Sequence, residues 1–285
     1  MNKVDQFESS FRSAVKEVYS YTRPELAQVL IVTDLDGDAA GTFATTCQNF
    51  LSVLAESSWQ TLTKGDFHNV AELLQQVSKH EPDLICTYRH LHSDAWKWPH
   101  SLGEHVDVLT QVISCPVLVL PHPARSGDLE RSFENTDSVM AITDRMTGDD
   151  RLVNFALRCT EAGGKLYLTH VEDEAVFERY IDVISKISTI DTELAREEIS
   201  EHLLKEPREY IESCQRVLAE HAAEHDHEVS MVVTMGNRLA EYQRLIAEHE
   251  VDLLVMNTKD EEQFAMHGLA YPLAVNLRNI PMLML

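Results

Sequence analysis

Two histidines in the second half of this 285-residue chain have a spacing that suits metal binding. His221 and His225 lie four residues apart, so a helix would place both rings on one face, as in helical zinc sites. His227 follows two residues later. The chain holds 14 histidines in an acidic background, however, so close neighbours arise by chance. A solvated helix end is the favoured interpretation, and we predict no metal site.

A second group combines histidines, tryptophans and cations within 17 residues of the first half. Its members are His90, His92, His100, His105, Trp96, Trp98, Arg89 and Lys97. The histidine spacing fits no metal-ligand set, and such aromatic side chains more often cover a core or a subunit edge. The cations could still meet a small anionic ligand. No Ser-His-Asp or Cys-His arrangement follows from spacing, so we do not expect an enzyme.

One run of carboxylates resembles a catalytic motif. Asp34-Leu35-Asp36-Gly37-Asp38 follows an apolar run and is similar to the first motif of haloacid-dehalogenase-like phosphatases. That resemblance implies that Asp34 is a nucleophile, that Asp36 is an acid/base and that both hold magnesium, with Gly148-Asp149-Asp150 as a later metal motif. Against it, Asp38 replaces the usual threonine and no lysine motif is evident. Asp and Gly after a strand are also ordinary turn and cap residues.

The elements around these residues follow a pattern that occurs twice. An acidic residue directly precedes one apolar run, at Asp83 and again at Asp252, and a glycine then precedes a proline by 13 residues, Gly103 to Pro116 and Gly268 to Pro281. Two further pairs of landmarks match between the halves, namely Thr33-Asp34 with Thr143-Asp144, and Thr63 to Asp66 with Thr234 to Asn237. Four landmarks in one order indicate a duplication.

Short apolar runs alternate with helical patterns in both halves, which indicates a parallel sheet covered on both faces. We predict strands at 27–33, 58–63, 83–88, 116–120, 138–143, 166–171, 229–234, 252–257 and 281–285. We predict helices at 5–20, 40–55, 68–79, 101–113, 149–162, 238–249 and 268–278. An acidic stretch at about 172–227 predicts two or three extra helices, broken near Pro207. The first half has no counterpart to it or to strand 166–171, so its sheet should be one strand smaller.

Composition limits the organisation and the partners of the chain. Its length suits two domains, which we place at 1–122 and 137–285 because a turn-rich linker lies between them. The formal charge is −23, which argues against nucleic acid and anionic membranes as partners. No apolar run is long enough to span a bilayer, and the start lacks a secretion signal. Five scattered cysteines indicate a reducing, cytoplasmic location.

These residues together resemble the universal stress protein family in tandem form, over about residues 27–122 and 137–285. The carrying landmarks are Asp34 and Asp144 after the first strands, His170-Val171, Gly65 and Gly236, the Asp83 and Asp252 runs, and the endings from Gly103 to Cys115-Pro116-Val117 and from Gly268 to Pro281. The resemblance implies two doubly wound, mainly parallel sheets of the adenine-nucleotide alpha-hydrolase-like, or Rossmann-like, type in tandem. Ligands would then bind at the carboxyl ends of the strands.

The resemblance also implies a place for ATP in each half, because nucleotide-binding members hold its phosphates with a glycine-rich loop and a helix amino terminus. The candidate positions are Asp34, Arg89, Gly103, Asp144, Val171, Gly236, Asn257 and Gly268. Both loops lack two glycines, and Glu104 and Leu269 replace the hydroxyl residue after the last one. Asp260, Glu261 and Glu262 would also repel a triphosphate. We therefore expect a non-enzymatic stress-response or regulatory binding protein with degenerate ATP loops, and keep a nucleotide sensor as the alternative.

The two final strands, 116–120 and 281–285, are apolar on both faces, and the resemblance places each at a sheet edge. Unpaired apolar edges invite association. We therefore predict that these strands associate, within the chain as a pseudo-dimer or between chains as a homodimer.

Overall fold

Nine strands form one sheet in the computed structural model, which describes residues 18–98, 101–125, 133–143, 146–221, 226–258 and 270–285. The strands are β1 Gln28–Val32, β2 Ser58–Leu62, β3 Leu84–Tyr88, β4 Val117–Leu120, β5 Ser138–Ile142, β6 Lys165–Asp173, β7 Glu228–Gly236, β8 Leu253–Met256 and β9 Met282–Met284. Their order across the sheet is β2-β1-β3-β4-β9-β8-β5-β6-β7. Every neighbouring pair is parallel except β4 and β9, which are antiparallel.

Eight α-helices connect these strands in the described residues. They are α1 Gly37–Phe50, α2 Val70–His80, α3 Glu104–Val112, α4 Asp150–Cys159, α5 Glu174–Ile184, α6 Thr192–Glu220, α7 Arg238–Glu248 and α8 Ala270–Asn276. Short 3₁₀ turns occur at Ser52–Leu54, Asp94–Lys97 and Pro123–Arg125. None of the helices in the described ranges is long and apolar enough to cross a membrane.

Local sequence accounts for these elements. Strands β3, β4, β5 and β8 are buried along their whole length, as expected for the apolar inner strands of a sheet covered on both faces. Several helices begin at a side chain that caps the first turn: Asn69 accepts from the Glu72 amide, and Asn237 accepts from the Ala240 amide. The predicted α/β class with a mainly parallel sheet is confirmed.

The sequence predicted two sheets, whereas the strands of both halves share one. The join lies between β4 and β9, where Val117 pairs with Met284, Leu118 with Leu283 and Val119 with Met282. The two predicted edge strands are therefore paired with each other inside the chain. This pairing covers two apolar edges at once, which explains why the sheet is continuous.

One strand match from the sequence is wrong. The alignment of Gly65 with Gly236 equated β2 with β7 and left β6 without a counterpart. In the sheet, β2 is the parallel neighbour of β1, and β6 is the parallel neighbour of β5. The counterpart of β2 is therefore β6, and β7 is the strand that the first half lacks. A short turn motif after a strand does not encode where that strand lies in the sheet, and this caused the error. The expected difference of one strand between the halves is confirmed, with four strands against five.

The extra stretch of the second half contains two helices, α5 and α6. The predicted break near Pro207 is wrong, because Pro207 lies inside the 29-residue helix α6. Proline removes one helical hydrogen bond, but the following turns bury Tyr210, Ile211 and Cys214 against the body of the protein. This packing outweighs the lost hydrogen bond.

The chain before β1 runs along the second half. The predicted helix at 5–20 lies mostly outside the described residues, and residues 18–20 are not helical. The buried Tyr19 hydroxyl donates to Asn154 Oδ1 at 2.6 Å, and its amide donates to Ser213 Oγ at 3.1 Å. The Ser20 amide donates to Asp150 Oδ2 at 3.1 Å. The start of the described chain is therefore anchored on α4 and α6.

Candidate functional site

The carboxyl ends of β1 and β3 lie side by side, because these strands are parallel neighbours. In a doubly wound sheet this edge is where ligands bind. Asp34 follows β1 here, and Tyr88 is the last residue of β3. The Asp34 and Tyr88 side chains therefore meet at this edge.

The Tyr88 side chain occupies this edge. Its hydroxyl lies 2.9 Å from Thr33 Oγ1, accepts from the Asp34 amide at 3.2 Å and donates to the Asp34 carboxylate. The ring is fully buried, with edge-on contacts to Phe43 at 4.9 Å and His122 at 5.1 Å between centroids. Burial, followed by the bond to Asp34, raises the pKa of Tyr88 well above its ordinary value, so the phenol stays protonated.

Both carboxylate oxygens of Asp34 are engaged within the protein. Oδ1 accepts from Tyr88, and Oδ2 accepts from the His92 backbone amide at 2.6 Å. Asp34 thus holds the loop after β3 in place. Asp36, the second carboxylate of the phosphatase-like run, is exposed at the start of α1 and makes no capping hydrogen bond there. The arrangement gives the phosphatase alternative no support.

The loop between β3 and α3 is tightly folded on itself. His90 and His92 have φ of +61° and +58°, in the left-handed region, and the His90 amide donates to the Leu102 carbonyl at 2.8 Å. Gly103 has φ of +94°, and a Cβ there would lie 2.7 Å from His90 Cα. The glycine is therefore required for backbone packing within the loop, whatever else the loop binds.

An aromatic cluster fills the space beside this loop. The rings of Phe67, His92 and His105 lie 5.0 to 5.9 Å apart. Burial lowers the pKa of His105, the positive form of His92 lowers it further, and burial also lowers the pKa of His90. His105 Nε2 is buried with no hydrogen-bond partner among the described residues. Burial thus favours the neutral forms of His90 and His105, which pack toward the core, whereas Trp98 of the same group is 64% exposed and does not cover the core.

Arg89 contacts the second half of the chain. Its buried guanidinium donates from Nη2 to the Leu277 carbonyl at 2.9 Å and lies 3.8 Å from Met282 Sδ. Leu277 directly follows α8, so the arginine reaches a helix end in the other half of the chain. A cation at that helix end is favourable. Arg89 thus joins the two halves across the β4–β9 pairing.

The corresponding edge of the second half is only partly described. Asp144 and Gly268 lie outside the described residues. Asn257, after β8, donates from Nδ2 to Asp149 Oδ2 at 2.5 Å, while Asp149 Oδ1 caps α4 by accepting from the Leu152 amide at 3.1 Å. Burial raises the pKa of Asp149, and its hydrogen bonds, including one with Thr143, oppose the rise.

Val171 and Gly236 lie on adjacent strands, β6 and β7. The Val171 carbonyl accepts from Arg238 Nε at 3.0 Å, at the start of α7. A Cβ on Gly236 would lie 2.7 Å from Glu241 Cγ. The structure therefore pairs Val171 with Arg238 and Asn257 with Asp149. Local patterns did not predict the roles of Arg238, Tyr88 and Asp149, whose partners lie 54 to 108 residues away along the chain. The available signal was the position of Tyr88 at the end of the predicted strand 83–88.

The histidines with zinc-like spacing have separate partners. His221 Nδ1 contacts the Val217 carbonyl at 2.9 Å, and His227 Nε2 contacts the Thr160 carbonyl at 3.1 Å. His225 lies outside the described residues. Within the described ranges, no three His, Cys, Asp or Glu side chains are grouped so that they could hold a metal ion.

Part of the second half is similar to a known protein family. Residues 135–267 match the model of the universal stress protein family. A protein of unknown function from Pseudomonas aeruginosa PAO1 has a similar structure, with a TM-score of 0.50 and 14% identity over 92% of this chain and 93% of that chain. At that identity the likeness concerns the fold.

Two further structures are less similar. A candidate universal stress protein from Pseudomonas aeruginosa UCBPP-PA14 is 12% identical over 100% of this chain and 88% of its own, with a TM-score of 0.47. A universal stress protein from Archaeoglobus fulgidus DSM 4304 is 11% identical over 93% of this chain and 97% of its own, with a TM-score of 0.46. No curated protein matches the sequence.

Proposed function

We propose that the chain is a tandem universal stress protein, with the second copy of the family fold preceded by a shorter, diverged first copy. The strand order supports this: β2-β1-β3-β4 in the first half corresponds to β6-β5-β8-β9 in the second. In the first half, β1 lies between β2 and β3. In the second half, β5 lies between β6 and β8 in the same way. The chain then forms its own pseudo-dimer.

The β4–β9 register also supports a duplication. In the sequence repeat, Leu118 corresponds to Leu283, Val117 to Met282 and Val119 to Met284. In the sheet, Leu118 pairs with its own counterpart, and Val117 and Val119 each pair with the counterpart of the other. Such reciprocal pairing is the signature of a two-fold, isologous contact, here within one chain.

The function that the site supports best is regulatory or stress-protective binding without catalysis. The observation that carries this proposal is the Tyr88 side chain, whose hydroxyl bonds Thr33 and Asp34 at the strand ends where a nucleotide would bind. A ligand at Asp34 would have to displace a buried tyrosine and the His92 amide. The first half thus acts as a structural partner of the second half. The five free cysteines support a reducing, cytoplasmic location.

Native mass spectrometry of freshly purified protein tests the proposal, together with thermal unfolding in the presence and absence of Mg-ATP. We expect no retained nucleotide and no shift in Tm. Retained ATP that is lost in Asp144→Ala and kept in Asp34→Ala would instead identify a nucleotide sensor acting through the second half. Magnesium-dependent phosphatase activity abolished by Asp34→Asn would overturn the non-enzymatic assignment.

The same proposal predicts the oligomeric state. The edges that would associate in separate domains are already paired between β4 and β9, so we expect a monomer. Light scattering coupled to gel filtration should give a mass near the 32.4 kDa of one chain. A mass twice that value would place a further interface on another surface of the protein.

A further inference from the structure

The hairpin formed by α5 and α6 carries an apolar surface on its outer side. Five large apolar side chains between residues 180 and 194 are 43% to 56% exposed: Tyr180, Val183, Ile187, Ile190 and Leu194. We call these five residues the hairpin surface. They are half of the ten large apolar side chains that are strongly exposed in the described part of the chain. A concentration of this kind marks a protein-binding surface more often than a solvated one.

The hairpin surface is distinct from the face that attaches the hairpin to the protein. Phe177 and Ile181 of α5 are buried, and they fix the helix against the body. An ion pair between Arg196 and Glu178 joins the two helices, and the Arg196 guanidinium lies 5.8 Å from the centre of the Phe177 ring. Phe177 and Ile181 thus hold α5 against the protein without help from the hairpin surface. The outer apolar residues are left without a structural role in the described protein.

Charge around the hairpin surface restricts the possible partner. Exposed acidic side chains alternate with it along the same segment, namely Glu174, Glu178, Asp182, Asp191 and Glu193, of which Glu178 and Asp182 form ion pairs and Asp191 caps α6. The cations of this segment already have neighbours: Lys186 pairs with Asp182 at 2.7 Å, and Arg179 lies 5.9 Å from the centre of the Tyr180 ring. With a formal charge of −23, the chain repels a second copy of itself and anionic membranes alike. Complementarity therefore favours a basic partner.

We propose that the hairpin surface binds a basic amphipathic helix of another protein, whose apolar face covers the five side chains and whose lysines or arginines meet the exposed carboxylates of the same segment, above all Glu174 and Glu193. Recognition of an amphipathic helix by an apolar surface with a charged rim is a recurrent binding mode. The hairpin belongs to the extra stretch of the second half, which the first half lacks. The surface is therefore a feature of only one of the two halves.

A designed peptide tests this proposal on the full chain. The probe is a fluorescently labelled Leu/Lys peptide with helical amphipathic spacing, compared with a scrambled peptide of the same composition and a Leu/Glu peptide of the same pattern. Anisotropy titrations should show binding of the first peptide only, weakening as salt rises. The triple variant Val183→Ser/Ile187→Ser/Ile190→Ser should bind at least tenfold more weakly.

Val112→Ser is the matched control, because Val112 is 65% exposed but lies on α3 in the first half. It should bind the peptide as the unchanged protein does, and circular dichroism should show that all variants are folded. Equal binding by the triple variant, or equal binding of the scrambled peptide, would overturn the proposal. Cross-links between the hairpins of two copies would also overturn the proposal, because a second copy would then be the occupant. Hydrogen-exchange protection of residues 180–194 in the free protein that is lost when residues 1–17 are removed would overturn it too, because the chain would then cover its own surface.

Discussion

Leu118 of β4 lies directly opposite Leu283 of β9 in the only antiparallel pairing found among the described strands. The two residues are 0% and 2% exposed, and they occupy equivalent positions in the sequence repeat. Each strand thus supplies the neighbour that the other lacks. The stability of one half should therefore depend on the presence of the other.

Substitution of either leucine should destabilise the whole protein. We expect Leu118→Ala and Leu283→Ala each to lower the free energy of unfolding by about 2–5 kcal/mol, because each leaves a cavity in the middle of the sheet. Urea denaturation followed by circular dichroism should show one shifted transition for each variant. Two separate transitions, of which only one shifts, would contradict a shared sheet.

Removal of the Tyr88 hydroxyl should weaken the first half. In Tyr88→Phe the Asp34 carboxylate loses a buried donor, and bonds to charged groups contribute about 1.5–3 kcal/mol. We expect a loss of that size in the free energy of unfolding at pH 7. Tyr180→Phe is the control, since Tyr180 is 56% exposed and should change stability by less than about 0.5 kcal/mol. Equal effects of the two substitutions would show that the Asp34 bond contributes nothing.

Two glycine substitutions should have opposite effects. Gly103→Ala forces a side chain into φ of +94° and into contact with the His90 backbone, so we expect a loss of at least about 1–3 kcal/mol. Gly41 lies inside α1, and a Cβ there meets nothing within 4 Å. Gly41→Ala should therefore raise stability by about 0.5–1 kcal/mol through helix propensity. Thermal melts should show a lower Tm for Gly103→Ala and a higher Tm for Gly41→Ala than for the unchanged protein.

Stability should fall as pH falls from about 7 to 5 through the buried histidines. Burial lowers the pKa of His105 and His90 in the folded protein, so the unfolded chain binds more protons over this range. His105→Gln should give a shallower loss of stability with acid. The raised pKa of Asp107 acts in the opposite direction, nearer the ordinary carboxyl range. Unchanged pH dependence in the glutamine variant would exclude His105 as a source.

The fold was more predictable than the site, for a physical reason. The buried strands are visible in the sequence as apolar runs. Strands β1 and β3 therefore lie within a residue or two of their predicted bounds. The pairing of the final strands also followed from their two apolar faces. In contrast, the sequence showed Tyr88 only as the end of a strand and Arg89 only as a cation in a loop, and it did not indicate their partners. Their partners lie 54 to 188 residues away, at Asp34 and Leu277, and no local pattern encodes such contacts.

The same limit applied to the start of the described chain. Tyr19 lies in the predicted helix 5–20, but residues 18–20 are not helical, and the Tyr19 amide and hydroxyl bond to Ser213 and Asn154 of the second half. Side chains that are polar at one end and aromatic at the other can pack in many places. Only the assembled fold decides between them.

The position of β9 in the middle of the sheet has a consequence for synthesis. It is the last of the nine strands in chain order, yet it lies between β4 and β8. On a ribosome, the apolar edge of β4 is therefore complete long before its neighbour emerges, and it stays open while more than 150 residues are added. During that interval the nascent chain depends on chaperones or on its own acidic charge to avoid aggregation.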